Sequence, residues 1–429
     1  MRMTVERLER LGEALHRAEL DSGLAVLVLP KPGFTKRYAT FATRYGSIDR
    51  RFRTPDGEEL EVPDGIAHFL EHQMFAKEYG DAFDRFSALG ASANAYTSYT
   101  TTTYLFSSAS RFEEAFDLLL DFVQEPYFTR AGVEKERGII EQELRMYEDS
   151  PEWRLFQQLR ECLFVRHPFR IDIGGTVESI RRIDEALLLR CYRTFYHPSN
   201  MVVSVVGDVQ PEAVVAQVEA SLARHGGYAR RGAVERLFEP EPEGVSAPRA
   251  EARMAVARPL FALGFKERPG EVRGAALVRR EILTAIVLDA AAGKGSPLYA
   301  RLYEAGLIDA GFAAQYLGEA TFGMAAFSGQ TDDPDRLLKE LQEGLFEFAA
   351  RGVEEADFER ARNRIYGEAV AQFDSPEAVA HELNHAHFLG VPLDAAFEVL
   401  ETITPEEATA RARELLRAEA AAVSIVRPA

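Results

Sequence analysis

The chain has 429 residues, 46% of them hydrophobic, and carries a formal net charge of −18 at pH 7. A chain of this length and apolar content buries an extensive core and is expected to fold as at least two domains. The acidic balance argues against nucleic acid or an anionic membrane surface as the main partner, and no apolar run approaches bilayer-spanning length.

The segment from Met1 to Arg10 is charged and lacks the apolar core of a secretion signal. The two cysteines, Cys162 and Cys191, lie far apart and outside any metal-binding spacing. Reduced thiols and a cytoplasmic location are therefore expected.

The first informative element spans Gly65 to Phe75, Gly-Ile-Ala-His-Phe-Leu-Glu-His-Gln-Met-Phe. Its centre fits H-x-x-E-H, the inverted zinc-peptidase motif. On a helix, residues four apart share a face, so His68 and His72 can direct imidazole nitrogens at one ion. Glu71, between them, can act as the base that takes a proton from water. A catalytic zinc needs a further protein ligand.

Ser92 to Phe106 follows, rich in Thr, Tyr and Ser with little charge, which favours an extended chain. An unpaired strand edge here could accept a peptide by main-chain pairing. An ordinary half-buried hairpin would instead leave Asn94 and Tyr96 as packing or turn residues.

The stretch Gly132 to Glu148 holds five glutamates on a helical pattern. At about 100° per residue, Val133, Ile140, Leu144 and Tyr147 form an apolar stripe, with Glu136 and Glu143 beside it. Glu134, Glu141 and Glu148 face away. Two inward carboxylates are costly unless a cation meets them, so Glu136 and Glu143 are candidates for the metal's surroundings; the bland alternative is a charged border on an amphipathic helix.

These residues resemble the pitrilysin, insulin-degrading enzyme and mitochondrial processing peptidase family of zinc peptidases. That family's third ligand is a Glu some seventy-odd residues past the second His, with another Glu seven residues before it. Glu143 lies 71 residues after His72, and Glu136 seven before Glu143. The resemblance implies one Zn2+ per chain held by His68, His72 and Glu143, with Glu71 as base and Glu136 supporting the ligands. Gly90 to Thr97 resembles the edge strand along which these enzymes pair substrate backbone, which implies substrate binding at Ala93, Asn94, Ala95 and Tyr96. Tyr196 to Gly207 resembles a later strand of the same half.

His167 and His197, each followed by Pro, read as turn residues. Further along, the first half repeats. Phe106-Ser-Ser, Arg130-Ala-Gly-Val-Glu, Glu136-Arg and Asp149-Ser-Pro-Glu return as Phe327-Ser-Gly, Ala350-Arg-Gly-Val-Glu, Glu359-Arg and Asp374-Ser-Pro-Glu, at offsets of 220 to 225 residues. This points to a duplicated α+β unit. The expected division is a catalytic domain over 1–228, a Pro- and Glu-rich linker over 229–249 and a homologous domain lacking metal ligands over 250–429. The resemblance implies two α/β-roll domains, each a mixed or antiparallel sheet with helices on one face, closing like a clamshell.

Two features complicate that reading. His381-Glu382-Leu383-Asn384-His385 fits H-E-x-x-H, the ordinary zincin pattern, but no metzincin continuation follows. His381, His385 and His387 are read mainly as helix-face residues. The family's second half usually supplies an Arg followed seven residues later by a Tyr; here Tyr303 and Ala310 stand at those positions. The resemblance therefore implies a heterodimer in which a related subunit supplies the pair. The favoured expectation is a zinc endopeptidase for oligopeptides or unfolded segments. A scaffold subunit and a peptide-binding module are the alternatives.

Overall fold

The computed structural model describes residues 2–429, in two compact units that are each built from both halves of the chain. Unit 1 takes residues up to Leu144, then Asp172–Phe238 and Val370–Leu393. Unit 2 takes Arg145–Ile171, Glu239–Ala369 and Asp394–Ala429. The division expected at 229–249 is thus crossed twice. The repeated Asp-Ser-Pro-Glu signature marks both crossings: Ser150 Oγ accepts the Trp153 amide at 3.3 Å and Ser375 Oγ accepts that of Ala378 at 3.2 Å. Each serine is an N-cap with Pro at the first helical position, which starts the helices Pro151–Leu163 and Pro376–Leu389. The first helix belongs to unit 2 and the second to unit 1.

Unit 1 is centred on a seven-stranded mixed sheet. From edge to edge its strands are Arg2–Leu8, Glu13–Glu19, Ala25–Pro30, Met201–Gly207, Arg37–Thr43, Thr102–Ser108 and Ser92–Thr97. Only Ala25–Pro30 and Met201–Gly207 pair in parallel. Alternation along the strands sends Ala39, Phe41, Val203 and Val205 to one face, where they join Phe69, Leu70, Phe116, Leu120 and Ile140 of the helices in one buried cluster. On the opposite face the helix Pro376–Leu389 packs through polar groups. Asn384 donates to Thr40 Oγ1 at 3.0 Å and accepts from Ser204 Oγ at 2.8 Å, and Arg17 Nη2 donates to His387 Nδ1 at 3.0 Å. Asn384 and its two partners, Thr40 and Ser204, are all buried. Asn384→Ala should therefore cost about 1–3 kcal/mol, because two buried hydroxyls lose their partner. Chemical denaturation would register it; a loss within experimental error would mean that the helix is held by packing alone.

Unit 2 repeats the plan with five strands, Arg249–Met254, Ala421–Pro428, Leu260–Lys266, Gly323–Gln330 and Ala313–Gly318. The helix Pro151–Leu163 lies against this sheet at Gly264, where a Cβ would stand 2.9 Å from the methyls of Leu159 and Leu163. Residues 239–248 of the expected linker are not a free connector. Glu241 accepts the amides of Val165, Arg166 and His167, each at 2.8 Å, and Lys266 Nζ at 2.9 Å. A carboxylate saturated by donors fixes a segment that its Pro and Glu content alone leaves extended.

The two His-Pro residues are turn caps. His167 Nδ1 accepts the Phe169 amide at 3.1 Å, and His197 Nδ1 accepts that of Ser199 at 3.3 Å. Burial, partly offset by Glu241, pushes His167 from 6.5 down to about 4. Between those values the unfolded chain binds the extra proton, so this contribution is complete above pH 6.5 and is lost as pH falls toward 4. The difference is worth about 3 kcal/mol. His167→Asn keeps an acceptor for the Phe169 amide and should flatten part of the acid slope. Melts at pH 7.5 and 4.5 in chelator test this, and equal slopes in both proteins would refute it.

Candidate metal centre

The motif residues lie on the helix Ile66–Phe75, which starts from Gly65 at φ 86°. A side chain there would be strained, and its Cβ would lie 2.2 Å from the carbonyl of Gly174. This close approach seats the 172–175 loop against the first histidine: a Cβ on Gly174 would be 3.7 Å from His68 Nδ1. The helix presents His68 and His72 side by side, ring centroids 4.5 Å apart at 61°.

The helix Arg130–Glu148 brings the carboxylates. Val133, Ile140 and Leu144 are buried as the wheel requires, whereas Tyr147, placed on the same stripe, is 40% exposed; the helix passes out of unit 1 after Leu144. Glu143 Oε2 lies 3.5 Å from His72 Nε2 and 3.9 Å from His68 Nε2. The three donor atoms fall within 4.8 Å of one another, and His68, His72 and Glu143 are the only such group of metal-ligating side chains among the described residues. Glu143 Oε2 is buried without a hydrogen-bond partner. Such an atom is costly unless a cation meets it. Tetrahedral zinc with bonds of roughly 2.0–2.2 Å sets its donors about 3.4 Å apart, so this donor set fits the ion.

The surroundings sort the protons. Glu136 Oε1 accepts from His72 Nδ1 at 2.9 Å, which leaves Nε2 with its lone pair toward Glu143. Burial opposes charge on His72, but the bond to Glu136 and the carboxylates of Glu71 and Glu143 outweigh it and raise its pKa. The same negative groups favour any cation at this point. Burial, and then the neighbouring His72, push His68 down to about 3, so its imidazole is neutral and able to donate a lone pair.

Glu71 is only 8% exposed and stands outside the donor cluster. Burial raises its pKa, against the lowering influence of the hydrogen bond from Thr97 Oγ1 at 2.6 Å and of His72. It is consequently a stronger base than an ordinary glutamate. Thr97 was not among the sequence candidates; its signal is the alternation of the strand, which turns Ala93, Ala95 and Thr97 inward while Ser92, Asn94 and Tyr96 face out. That strand, Ser92–Thr97, pairs only with Thr102–Ser108 and ends the sheet, so among the described residues no strand lies on its other backbone edge. Ala93 and Ala95 pack on the core, Asn94 Oδ1 accepts the Ala95 amide at 2.9 Å, and the Tyr96 hydroxyl meets His381.

The second histidine motif does not assemble. His381 bonds two tyrosines, Asn384 bridges Thr40 and Ser204, His387 receives Arg17, and His385 lies 3.9 Å from Glu382 on its own helix. In unit 2 the helices Ala275–Ala292 and Glu355–Gln372 stand in the chain order of the motif and carboxylate helices. They are joined by an ion pair, Arg364 Nε to Asp289 Oδ1 at 3.1 Å, rather than by a cluster of ligands.

Residues 57–176 match the family model described as Insulinase (peptidase family M16), and residues 182–365 match the peptidase M16 inactive domain. The chain is 44% identical over 401 residues to the uncharacterized zinc protease YmfH of Bacillus subtilis, covering 93% of each. It superposes on the crystal structure of an M16-like peptidase from Alicyclobacillus acidocaldarius with a TM-score of 0.94 and 39% identity, over 98% of this chain and 99% of the other. A Helicobacter pylori protease shares the fold at a TM-score of 0.82 and 18% identity, over 96% and 99% of the two chains. No helix among the described residues is long and apolar enough to cross a membrane.

Proposed function

The chain belongs to the insulinase family of peptidases, family M16, and from that premise we propose that it is a zinc endopeptidase acting on oligopeptides or unfolded segments. The observation that carries this reading is the convergence of His68 Nε2, His72 Nε2 and the otherwise unpartnered Glu143 Oε2. These three residues hold one Zn2+ per chain, and Glu136 fixes the tautomer of His72. Bound there, zinc supplies the Lewis acidity that polarises a peptide carbonyl and acidifies water. Glu71 accepts the proton of the attacking water and delivers it to the departing amine. Thr97 keeps the carboxylate oriented. The free edge of Ser92–Thr97 pairs the substrate backbone along Ala93, Asn94, Ala95 and Tyr96, which is tolerant of varied side chains.

The side chains of the chemical step all come from residues 1–228, while residues 250–429 supply no metal ligand. In the latter, Tyr303 is 52% exposed and stacks on Tyr299, offering no cation where the family's arginine stands. A related subunit supplies the Arg and Tyr in a heterodimer. Mixing with that subunit should raise turnover roughly 10²-fold or more, since an oxyanion-stabilising group is worth a few kcal/mol. Equal rates alone and mixed would refute the pairing. The peptidase reading itself is tested with quenched oligopeptides: cleavage that stops in chelator and returns with stoichiometric zinc is expected, and cleavage indifferent to chelator would overturn it.

A further inference from the structure

The helix Pro376–Leu389, contributed to unit 1 by the second half of the chain, does more than cover the sheet. His381 engages both ring nitrogens with phenols: Nε2 lies 3.2 Å from Tyr38 Oη, and Nδ1 lies 3.0 Å from Tyr96 Oη. Its ring centroid is 5.7 Å from that of Tyr38 and 5.4 Å from that of Tyr96. Tyr38 is 2% exposed on the strand Arg37–Thr43, while Tyr96 is 38% exposed on the open edge strand. The strand Thr102–Ser108 lies between them, so the imidazole spans one strand to tie the edge to the interior. A tyrosine at a sheet edge otherwise has rotameric freedom, which a ligand must remove on binding.

A chain added beside Ser92–Thr97 would send alternate side chains to opposite faces. One set would meet the Thr97 and Glu71 face, and the other the face of Tyr96. A residue directly across from Tyr96 would lie with its Cβ roughly 4.5–5.5 Å away, close enough to stack on the ring, and such pairs favour aromatic and β-branched partners.

Resting on the peptidase reading above, we infer that His381 is a positioning residue that holds Tyr96 as a fixed aromatic wall, so that the site selects peptides with an aromatic or β-branched residue on the face opposite Glu71. Each polar atom of the Tyr38–His381–Tyr96 chain then has a structural role, and the H-E-x-x-H pattern owes its first histidine to substrate selection rather than to a metal.

The test uses quenched decapeptides in which one position at a time is Phe or Ala, with zinc content measured in parallel. Wild type should show a Phe preference in KM at one position. In His381→Ala that KM ratio should fall about tenfold, the loss lying in KM rather than kcat, with one zinc still bound per chain. Tyr96→Phe removes the same link, so the double variant should be no worse than the poorer single variant. His381→Gln, which keeps a donor and an acceptor, should recover part of the ratio; if His381→Ala does not fold, this variant and Tyr96→Phe carry the comparison.

An unchanged KM ratio in the variants, multiplicative losses in the double variant or a wild type without the preference would overturn the inference while leaving the peptidase intact. A wild type that neither cleaves these peptides nor, as Glu71→Gln, binds them by fluorescence anisotropy would instead overturn the peptidase reading, and this one with it.

Discussion

Glu71→Gln should retain one zinc per chain and lose hydrolysis by about 10²–10⁴-fold, the range ascribed to a positioned general base. The substitution keeps the size of the side chain and an oxygen for the Thr97 hydroxyl, which lies 2.6 Å from Oε2. It leaves His68, His72 and Glu143 untouched, and those are the atoms that converge. What it removes is the proton acceptor. Because burial already disfavours the charged form of Glu71, the neutral amide should be accepted without loss of stability. Turnover of a quenched peptide and metal analysis on the same preparation decide the matter. Full activity in the variant would mean that another group takes the proton. A protein that only captures peptides would be indifferent to the change in binding and would show no turnover to lose.

Glu143→Gln should cost far more stability in the presence of metal than in its absence. In chelator the variant should stay within about 1 kcal/mol of the wild type, because losing a buried carboxylate oxygen that has no hydrogen-bond partner and that disfavours the charge on Glu71 offsets losing its attraction to His72. With zinc in thousandfold excess over its Kd, the wild type should gain about 4 kcal/mol. For units of this size that is a rise in Tm of roughly 8–16 °C. The variant should gain less than a third of it. Thermal melts with and without zinc measure both, and an equal zinc-induced rise in the two proteins would show that Glu143 is not in the site.

The candidate site was legible where local periodicity decides geometry. A four-residue spacing on a helix forces His68 and His72 to one side, and the wheel separates Glu136 and Glu143 from the three outward glutamates without knowledge of the fold. The duplication was legible because the same signatures recur in the same order. Long-range partnership was not. Nothing in an amphipathic pattern says which sheet a helix will cover, so the exchange of Pro151–Leu163 and Pro376–Leu389 between the units had no sequence signal beyond their shared Asp-Ser-Pro-Glu start. The same gap misdirects the His381 motif: its spacing fits a metal, while its partners, Tyr38, Tyr96, Thr40 and Ser204, come from strands roughly 180 to 340 residues away. Thr97 escaped notice for a simpler reason, as threonine on a strand is ordinary until alternation aims it at Glu71.

The sharpest measurement is metal stoichiometry by mass spectrometry of the purified chain and of His68→Ala, His72→Ala and Glu143→Ala after dialysis against a weak chelator. One zinc per chain in the wild type and almost none in any of the three variants is the expected result. Zinc absent from the wild type, or retained at one per chain when any of these side chains is removed, would contradict a centre built by all three.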